Sequence, residues 1–316
     1  MTAPVATADA VTTPSKVRAG PGAGTGIAYM LVAVGLFAVM DAMIKWLGEV
    51  YPTTQLVFFR AAFAFIPIAF LVAGTGLRQA LRINNGWGHV FRCLVGIGSM
   101  GAYFYCFPRM PLADMIAITF AAPIFVTALS MPMLGERVGP RRWTAILVGF
   151  VGVLIIVQPG ESGFEPIALI ALLGTLFYSL AAIAVRKLSR TDSSVSIVIS
   201  FTLCSTVVSA AFLPFQWVTP SLPDLFMLIG VGLIGGLAQI AMTNAFRYAE
   251  VSLVVPFEYS AMLWAALLGF FFWGEIPGNH VWLGVAIVIA SGLYILYREA
   301  HLGLPRGIAR RLHARR

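Results

Sequence analysis

Two ionisable side chains stand inside an apolar segment near the N-terminus of this 316-residue chain. Asp41 and Lys45 are four residues apart, so on a helix they share a face and can pair with each other. If they line a cavity instead, the same pair can open to bind a zwitterionic or charged small molecule. Because a charge at membrane depth is costly, each such residue is a candidate for function.

A carboxylate beside a proline is the second chemical feature. Glu258 follows Pro256 by two residues, and the proline lacks the N–H that would satisfy an upstream carbonyl. Transporters build polar sites from unwound backbone of this kind, and a buried Glu258 could carry a proton. The alternative is a structural hydrogen bond between Glu258 and a neighbouring helix.

Arg60 lies near the start of a second apolar segment, where its long side chain could snorkel to the membrane interface. Its other interpretation is as the partner of Asp41 or of an anionic group on a ligand, which suits the forked geometry of a guanidinium.

Further polar and aromatic residues recur within the apolar segments. Each one alone favours an interhelical hydrogen bond or an interfacial ring, but their joint occurrence predicts a shared cavity. Such a cavity would be aromatic and weakly polar, suited to a flat or amphipathic organic molecule. The set comprises Tyr103, Tyr105, Thr119, Tyr178, Gln239, Asn244, Tyr259 and Trp264.

The composition shows which elements must position these residues. The chain is 59% hydrophobic and 11% charged, with a mean hydropathy of +0.88, whereas soluble domains are about 25% charged. Backbone groups in lipid must be satisfied internally, so the apolar segments are predicted to be membrane-spanning helices. We expect ten of them, near 27–47, 54–72, 90–107, 112–134, 142–158, 166–186, 194–213, 223–246, 251–273 and 280–298.

A nine-residue pattern, Gly-Glu-x-x-Gly-x-x-x-Trp, occurs twice, beginning at Gly135 and again at Gly274, 139 residues later. The repeat divides the chain after about residue 160 into halves 27–160 and 161–298, flanked by a flexible tail 1–26 and a basic tail 299–316. Each half holds five helices, and an odd number predicts that the halves are inverted relative to each other.

The basic residues support this layout independently. With the N-terminus inside, all of the 21 Lys and Arg residues except Lys45, Arg60 and Arg109 fall on the cytoplasmic side. Both termini are therefore predicted to be cytoplasmic, with an uncleaved first helix. The net charge of +8 follows from this topology and does not indicate nucleic-acid binding.

The sequence lacks the residues that several other classes of function require. The three cysteines and four histidines show no metal-binding spacing, so no metal or cofactor is predicted. No phosphate-binding loop is present, which argues against ATP as the energy source. An integral-membrane enzyme acting on lipid would need convergent His, Asp or Cys groups, and the sequence has no such cluster.

The chain resembles the EamA branch of the drug/metabolite transporter superfamily over residues 27–298. The segments that carry the resemblance are Asp41 to Trp46, Phe58 to Arg60, Pro111 to Asp114, Ala122 to Phe125, Gly135 to Glu136, Trp143 to Gly152 and Pro256 to Tyr259. They are specific for the family and say little about the substrate.

The resemblance implies a ten-helix permease of the bacterial inner membrane that moves a small organic metabolite by alternating access. Helices one, three, four, six, eight and nine would surround the cavity. Similar members import riboflavin or S-adenosylmethionine, and others export amino acids or drugs. The resemblance leaves the direction of transport, the source of energy and a homodimeric state open.

Overall fold

The computed structural model describes residues 23–75, 81–134, 140–157, 166–189, 191–248 and 255–301. These ranges form helices and contain no strand. The helices are α1 (Ala23–Leu47), α2 (Thr53–Thr75), α3 (Gly86–Cys106), α4 (Leu112–Thr119), α5 (Ala122–Leu134), α6 (Pro140–Val157), α7 (Pro166–Leu188), α8 (Ser194–Gln216), α9 (Leu222–Tyr248), α10 (Ala261–Trp273) and α11 (Asn279–His301), with 3-10 turns at Phe107–Arg109 and Val255–Ser260.

Seven segments of the described chain are long and apolar enough to cross a membrane, and three shorter apolar helices accompany them. Large apolar side chains point outward, among them Leu94 with 67% and Phe271 with 74% of its surface exposed. The predicted all-α fold is confirmed, and its apolar exterior is that of a protein embedded in lipid. Residues 135–139, the first five of the first Gly-Glu repeat, and the 158–165 link lie outside the described residues.

The predicted helix 112–134 is interrupted, so that expectation was wrong in detail. Helix α4 ends at Thr119, Phe120 and Ala121 form a turn, and α5 begins at Ala122. Pro123 gives the reason, because its ring would clash with the carbonyl four residues earlier in a continuous helix. The helix predicted at the equivalent position of the second half, 251–273, is also irregular. Its described part consists of the 3-10 turn Val255–Ser260 followed by α10.

The short helix α4 lies at the centre of the structure. Six of its eight residues are buried, and its apolar side chains join the main core. Around it, α1 packs against α9, α3 against α7, and α6 against α11, while α2 contacts both α9 and α8. Helix α4 therefore occupies the middle of the fold and is enclosed by other helices, whereas α10 also exposes large apolar side chains such as Phe271.

Helices α6 and α11 approach closely through glycine. A Cβ added at Gly284 would lie 2.7 Å from the carbonyl oxygen of Gly152, and one added at Gly152 would lie 2.9 Å from the carbonyl oxygen of Gly284. Neither of these carbonyl oxygens can move aside without a shift of its own helix. Ser291 adds a hydrogen bond to the Ala145 carbonyl at 2.6 Å across the same pair of helices.

We expect Gly284→Val to separate α6 from α11 and to lower the free energy of unfolding by about 1–3 kcal/mol, the usual cost of overpacking. Thermal unfolding of the detergent-purified protein measures this effect. Gly101→Ala is the control, since its new methyl group would meet no atom within 4 Å. An unchanged melting temperature for Gly284→Val would contradict the close packing described here.

Candidate functional site

Lys45 is buried and joins separate parts of the chain. Its ammonium group donates to Glu275 Oε1 at 2.5 Å and to the carbonyl of Met110 at 2.7 Å. The other oxygen of Glu275 accepts the N–H of Leu112 at 2.9 Å. These four residues are called the Lys45 cluster below, and they connect the end of α1, the start of α4 and the second residue after α10.

The pairing of Lys45 with Asp41, one of the two sequence-based interpretations, is not found. The ammonium group already has a carboxylate and a carbonyl as partners, and its position 5.2 Å from the centre of the Trp273 ring adds a cation–π contact. Lys45 therefore pairs with Glu275 and Met110, which are distant in the sequence, and not with Asp41 one helical turn away.

Two glycines bring Glu275 to this position. Gly274 ends α10 with a left-handed φ of 68°, which glycine adopts without strain. The reversed chain lets Glu275 N–H donate to the carbonyl of Gly269 at 3.1 Å. A Cβ at Gly269 would lie 3.0 Å from Glu275 Oε2, so the absence of a side chain there leaves room for the carboxylate.

Asp41 has Arg60 as its electrostatic partner, without a direct ion pair within 4.0 Å between these two described residues. The Arg60 side chain packs across α9, where a Cβ on Gly235 would lie 3.0 Å from Arg60 Nε. The interpretation of Arg60 as the partner of Asp41 is compatible with this arrangement and stays a prediction. The other, snorkelling to the interface, does not describe a side chain that lies between helices.

Tyrosines extend from Asp41 towards Glu258. Tyr103 is an electrostatic neighbour of both Asp41 and Tyr178, and its hydroxyl donates to Thr175 Oγ1 at 3.2 Å. Tyr178 is in turn a neighbour of Glu258. Asp41, Tyr103, Tyr178 and Glu258 come from α1, α3, α7 and the 3-10 turn before α10, and Arg60 comes from α2. We refer to Asp41, Arg60, Tyr103, Tyr178 and Glu258 as the central cluster.

The two interrupted helices meet beside this cluster. The ring of Phe120, at the end of α4, packs edge-on against the ring of Tyr259, with 5.1 Å between their centres. Thr119 precedes Phe120 as Glu258 precedes Tyr259, and both pairs are related by the repeat spacing of 139. The Tyr259 hydroxyl is buried against Gly292 and has no hydrogen-bond partner among the described residues.

The remaining predicted residues lie apart from the central cluster or make other contacts. Tyr105 is exposed, and the guanidinium of Arg109 stacks on its ring at 3.8 Å. Thr119 donates to the carbonyl of Ile116 at 2.7 Å, and Trp264 packs against Gly35. Gln239 and Asn244 are half-buried on α9.

Sequence reasoning missed the role of Glu275 and Thr175. Glu275 was recognised as part of a repeated motif, and its return after a second apolar segment could have suggested a buried carboxylate. Thr175, fully buried on α7, bonds to the Ala171 carbonyl and to Tyr103. No local pattern distinguishes it from other small residues of that helix.

The fold and these clusters define a multi-pass helical membrane protein with charged groups held among its central helices, the class of membrane transporters. Comparison with known proteins gives the family. The model of the EamA-like transporter family matches residues 24–158 and 166–297. The chain belongs to this family, which consists of transporters and not enzymes, and it is a multi-pass protein of the bacterial inner membrane.

Similar proteins cover almost the whole chain. A riboflavin transporter of Vibrio cholerae is 30% identical over 87% of this chain and 93% of that protein. An S-adenosylmethionine uptake transporter of Rickettsia prowazekii is 26% identical over the same shares, and a pseudopaline exporter of Pseudomonas aeruginosa is 29% identical over 86% and 93%. A solved crystal structure that is 18% identical superposes with a TM-score of 0.63, over 89% of this chain and 99% of that one, which supports the fold.

Glu275→Ala is expected to lower the free energy of unfolding by about 1–3 kcal/mol, because it removes the carboxylate partner of Lys45, which keeps only the Met110 carbonyl, and leaves the Leu112 N–H without its acceptor. Glu275→Gln should cost less, since an amide oxygen still accepts from Leu112. Thermal unfolding in detergent checks the order, with the exposed Glu49→Ala as the control. Equal stability of Glu275→Ala and wild type would contradict the importance of this cluster.

Proposed function

We propose that the protein is a secondary transporter that moves a small organic metabolite across the inner membrane by alternating access between two inverted halves. The carrying observation is the contact of Phe120 with Tyr259 at 5.1 Å. These residues interrupt helices at equivalent positions of the two halves and meet beside Glu258. Interrupted helices that meet at an interface of repeats are how such transporters build a substrate site.

The helix packing supports the division into two five-helix halves. The spacing of 139 relates α5 (Ala122–Leu134) to α10 (Ala261–Trp273) residue by residue. If each helix is replaced by its equivalent in the other half, the α1–α9 contact becomes the α7–α3 contact. The α5–α7 contact becomes the α10–α1 contact in the same way. All four contacts are present. The α6–α11 contact is converted into itself. The two stretches matched by the family model follow the same division.

The Lys45 cluster fits a closed periplasmic side. With the N-terminus in the cytoplasm, α1 ends near Lys45 at the periplasmic face, and α10 ends near Glu275 at the same face. Three ends of chain segments are tied together there by one buried and two partly buried hydrogen bonds. On this topology, we infer that the Lys45 cluster separates the central cluster from the periplasm.

Substrate candidates come from the similar proteins, whose names state riboflavin, S-adenosylmethionine and pseudopaline. The central cluster combines charges with tyrosine rings, which suits a substrate with an aromatic or flat part and polar groups. Uptake and export are both represented among these relatives. An exporter of the same fold is therefore the second candidate function, favoured by the pseudopaline exporter.

Glu258→Gln is expected to abolish flux driven by a pH gradient while leaving substrate exchange intact. A glutamine can still accept a hydrogen bond, but its amide cannot take up and release a proton as a carboxylate does. Counterflow and gradient-driven uptake of riboflavin or S-adenosylmethionine into proteoliposomes measure the two activities. Glu49→Gln, at an exposed carboxylate, is the control.

Equal loss of both activities in Glu258→Gln would contradict proton coupling and assign Glu258 to binding or folding. Gradient-driven flux at the wild-type rate would likewise overturn its role as a proton carrier. The absence of counterflow for every probe in the wild-type protein would argue against the proposed transport of these metabolite classes.

A further inference from the structure

A buried histidine on α3 faces a buried carboxylate from a distant part of the chain. His89, in the first turn of α3, and Asp192, in the connection between α7 and α8, have 5% and 0% of their side chains exposed. His89 Nε2 lies 3.5 Å from Asp192 Oδ1, and it has no hydrogen-bond partner among the described residues. A buried ring nitrogen without a partner, next to a carboxylate, points to a place where a proton binds.

Hydrogen bonds from other residues keep Asp192 ionised. The N–H of Asn84 donates to Asp192 Oδ1 at 2.6 Å, and the hydroxyl of Thr191 donates to Oδ2 at 2.5 Å. Burial by itself would raise the pKa of Asp192, but the bonds from Asn84 and Thr191, together with the nearby His89, hold it below its ordinary value. Asp192 is therefore negatively charged at neutral pH.

The second ring nitrogen of His89 shows which protonation state fits the site. Nδ1 lies 2.6 Å from Ser200 Oγ, and this hydroxyl donates to the carbonyl of Ile197 at 3.1 Å. A hydroxyl has one proton, so Nδ1 must itself be protonated to bond with Ser200 while the Ile197 bond is kept. A neutral ring would then direct the lone pair of Nε2 at the carboxylate. Only the doubly protonated ring keeps all these bonds and places a positive charge opposite Asp192.

The other charged or titratable groups on the surrounding segments are exposed or make other contacts. The guanidinium of Arg92, on the next turn of α3, lies against Gly96 towards the middle of the helix. The thiol of Cys93 donates to a backbone carbonyl of α8 at 3.7 Å. The exposed cations on the neighbouring segments are Arg82, Arg186 and Lys187. Within the described residues, Asp192 is thus the one acidic group within 4.0 Å of His89.

These contacts join two connections between helices. We refer to the residues involved as the His89 cluster, which comprises Asn84, His89, Thr191, Asp192 and Ser200. The cluster links the connection before α3, and α3 itself, to the connection after α7 and to α8. A further bond, from the Asn84 side chain to the carbonyl of Thr191 at 2.6 Å, joins the two connections directly. With the N-terminus in the cytoplasm, the cluster lies at the cytoplasmic face.

The equivalent connections at the opposite face are joined without a histidine. Tyr51, after α1, donates its hydroxyl to Asp224 Oδ2 at 2.7 Å, and the hydroxyl of Ser221 donates to the same oxygen at 2.7 Å. The repeat spacing of 139 places Leu228 of α9 at the position of His89. Hydroxyl donors keep their protons between about pH 5 and 8, whereas an imidazole gains or loses one in that range. Of these two contacts, the His89 cluster is therefore the pH-dependent one.

We propose that the His89 cluster is a pH-sensitive latch. Protonation of His89 strengthens the attachment of the connection before α3 to the connection after α7, and loss of that proton weakens it. The latch itself does not depend on the proposed transport function, but its effect on transport rests on it. Since the latch restrains movement of α3 relative to α8, an acidic cytoplasm slows the transport cycle.

The first experiment compares melting temperatures of the detergent-purified protein at about pH 5.5 and about pH 8. The stabilisation by the ion pair is present while His89 is protonated and is lost as the pH rises, whereas Asp192 stays charged throughout. Between these two pH values, wild type should lose about 2–4 °C relative to His89→Gln. An equal difference between the two proteins at both pH values would overturn the proposal.

Two matched controls accompany this experiment. His280→Gln removes a histidine that has no carboxylate within 4.0 Å among the described residues, so its effect should not depend on Asp192. Tyr51→Phe breaks the equivalent contact at the other face and should cost the same at both pH values, because a hydroxyl donor is lost in either case. A cost of Tyr51→Phe that changes with pH as that of His89→Gln does would contradict a specific role of the histidine.

Asp192→Asn tests the partner of the proton, and it keeps an oxygen that can accept from Asn84. In this background His89→Gln should have little effect at about pH 5.5, whereas in wild type it lowers the melting temperature there. At about pH 8 the two backgrounds should differ less. If His89→Gln has the same pH-dependent effect with and without the Asp192 carboxylate, the ion pair is not the origin of the latch and the proposal fails.

Counterflow in proteoliposomes, with the same pH on both sides, tests the consequence for transport of riboflavin or S-adenosylmethionine. Transport by wild type should slow between about pH 8 and about pH 5.5 by roughly fivefold more than transport by His89→Gln. Glu258 is present in both proteins, so its titration cancels in this comparison. Equal pH dependence would overturn the regulatory role of the latch. Absent counterflow in wild type would reject the proposed function, and the melting temperatures would still decide whether the latch exists.

Discussion

A charge inside an apolar solvent must find a partner, and this constraint decides where the polar chemistry of the protein lies. Lys45 meets it fully, with a carboxylate, a carbonyl and an aromatic ring around one ammonium group. Asp41 and Arg60 satisfy this need for a partner at longer range, by electrostatic interaction with each other. These three charges are thus collected near the interrupted helices and the ends of α1 and α10.

The backbone is subject to the same constraint. A helix broken in lipid exposes carbonyl and amide groups, and such breaks are tolerated where other protein segments surround them. The interruption after α4 lies deep in the fold, since six of the eight residues of α4 are buried, whereas residues 257–260 of the 3-10 turn before α10 are half-buried. The rings of Phe120 and Tyr259 join the two interruptions edge to face, so the half-buried turn before α10 contacts the buried end of α4.

The sequence predicted the helical segments well, because hydropathy reports directly on the solvent around them. It did not predict the partner of Lys45, since the spacing rule for helices considers only neighbours one turn away, and Glu275 is 230 residues distant. It also grouped Tyr103 with Tyr105, although residues two apart point to nearly opposite sides of a helix. Pro123 carried the signal for the interruption after Thr119, which the length of the apolar run concealed.

Other features had no signal in the sequence. The direction of the Arg92 side chain depends on the absence of a Cβ at Gly96 and on a phenylalanine of a different helix. In sequence, an arginine six residues into a helix is equally compatible with the membrane interface. Likewise, the carboxylate of Glu275 reaches Leu112 only because Gly274 reverses the chain in a left-handed conformation.

The aromatic surroundings of Lys45 have a consequence for spectroscopy. The Trp273 ring lies under the ammonium group, and the Trp46 ring is 6.2 Å away from it, centre to centre. Indole emission responds to a nearby charge and to hydration. Separation of α1 from the end of α10 would change both for Trp273, so the protein contains its own fluorophore at the contact between these two helix ends, and needs no attached dye there.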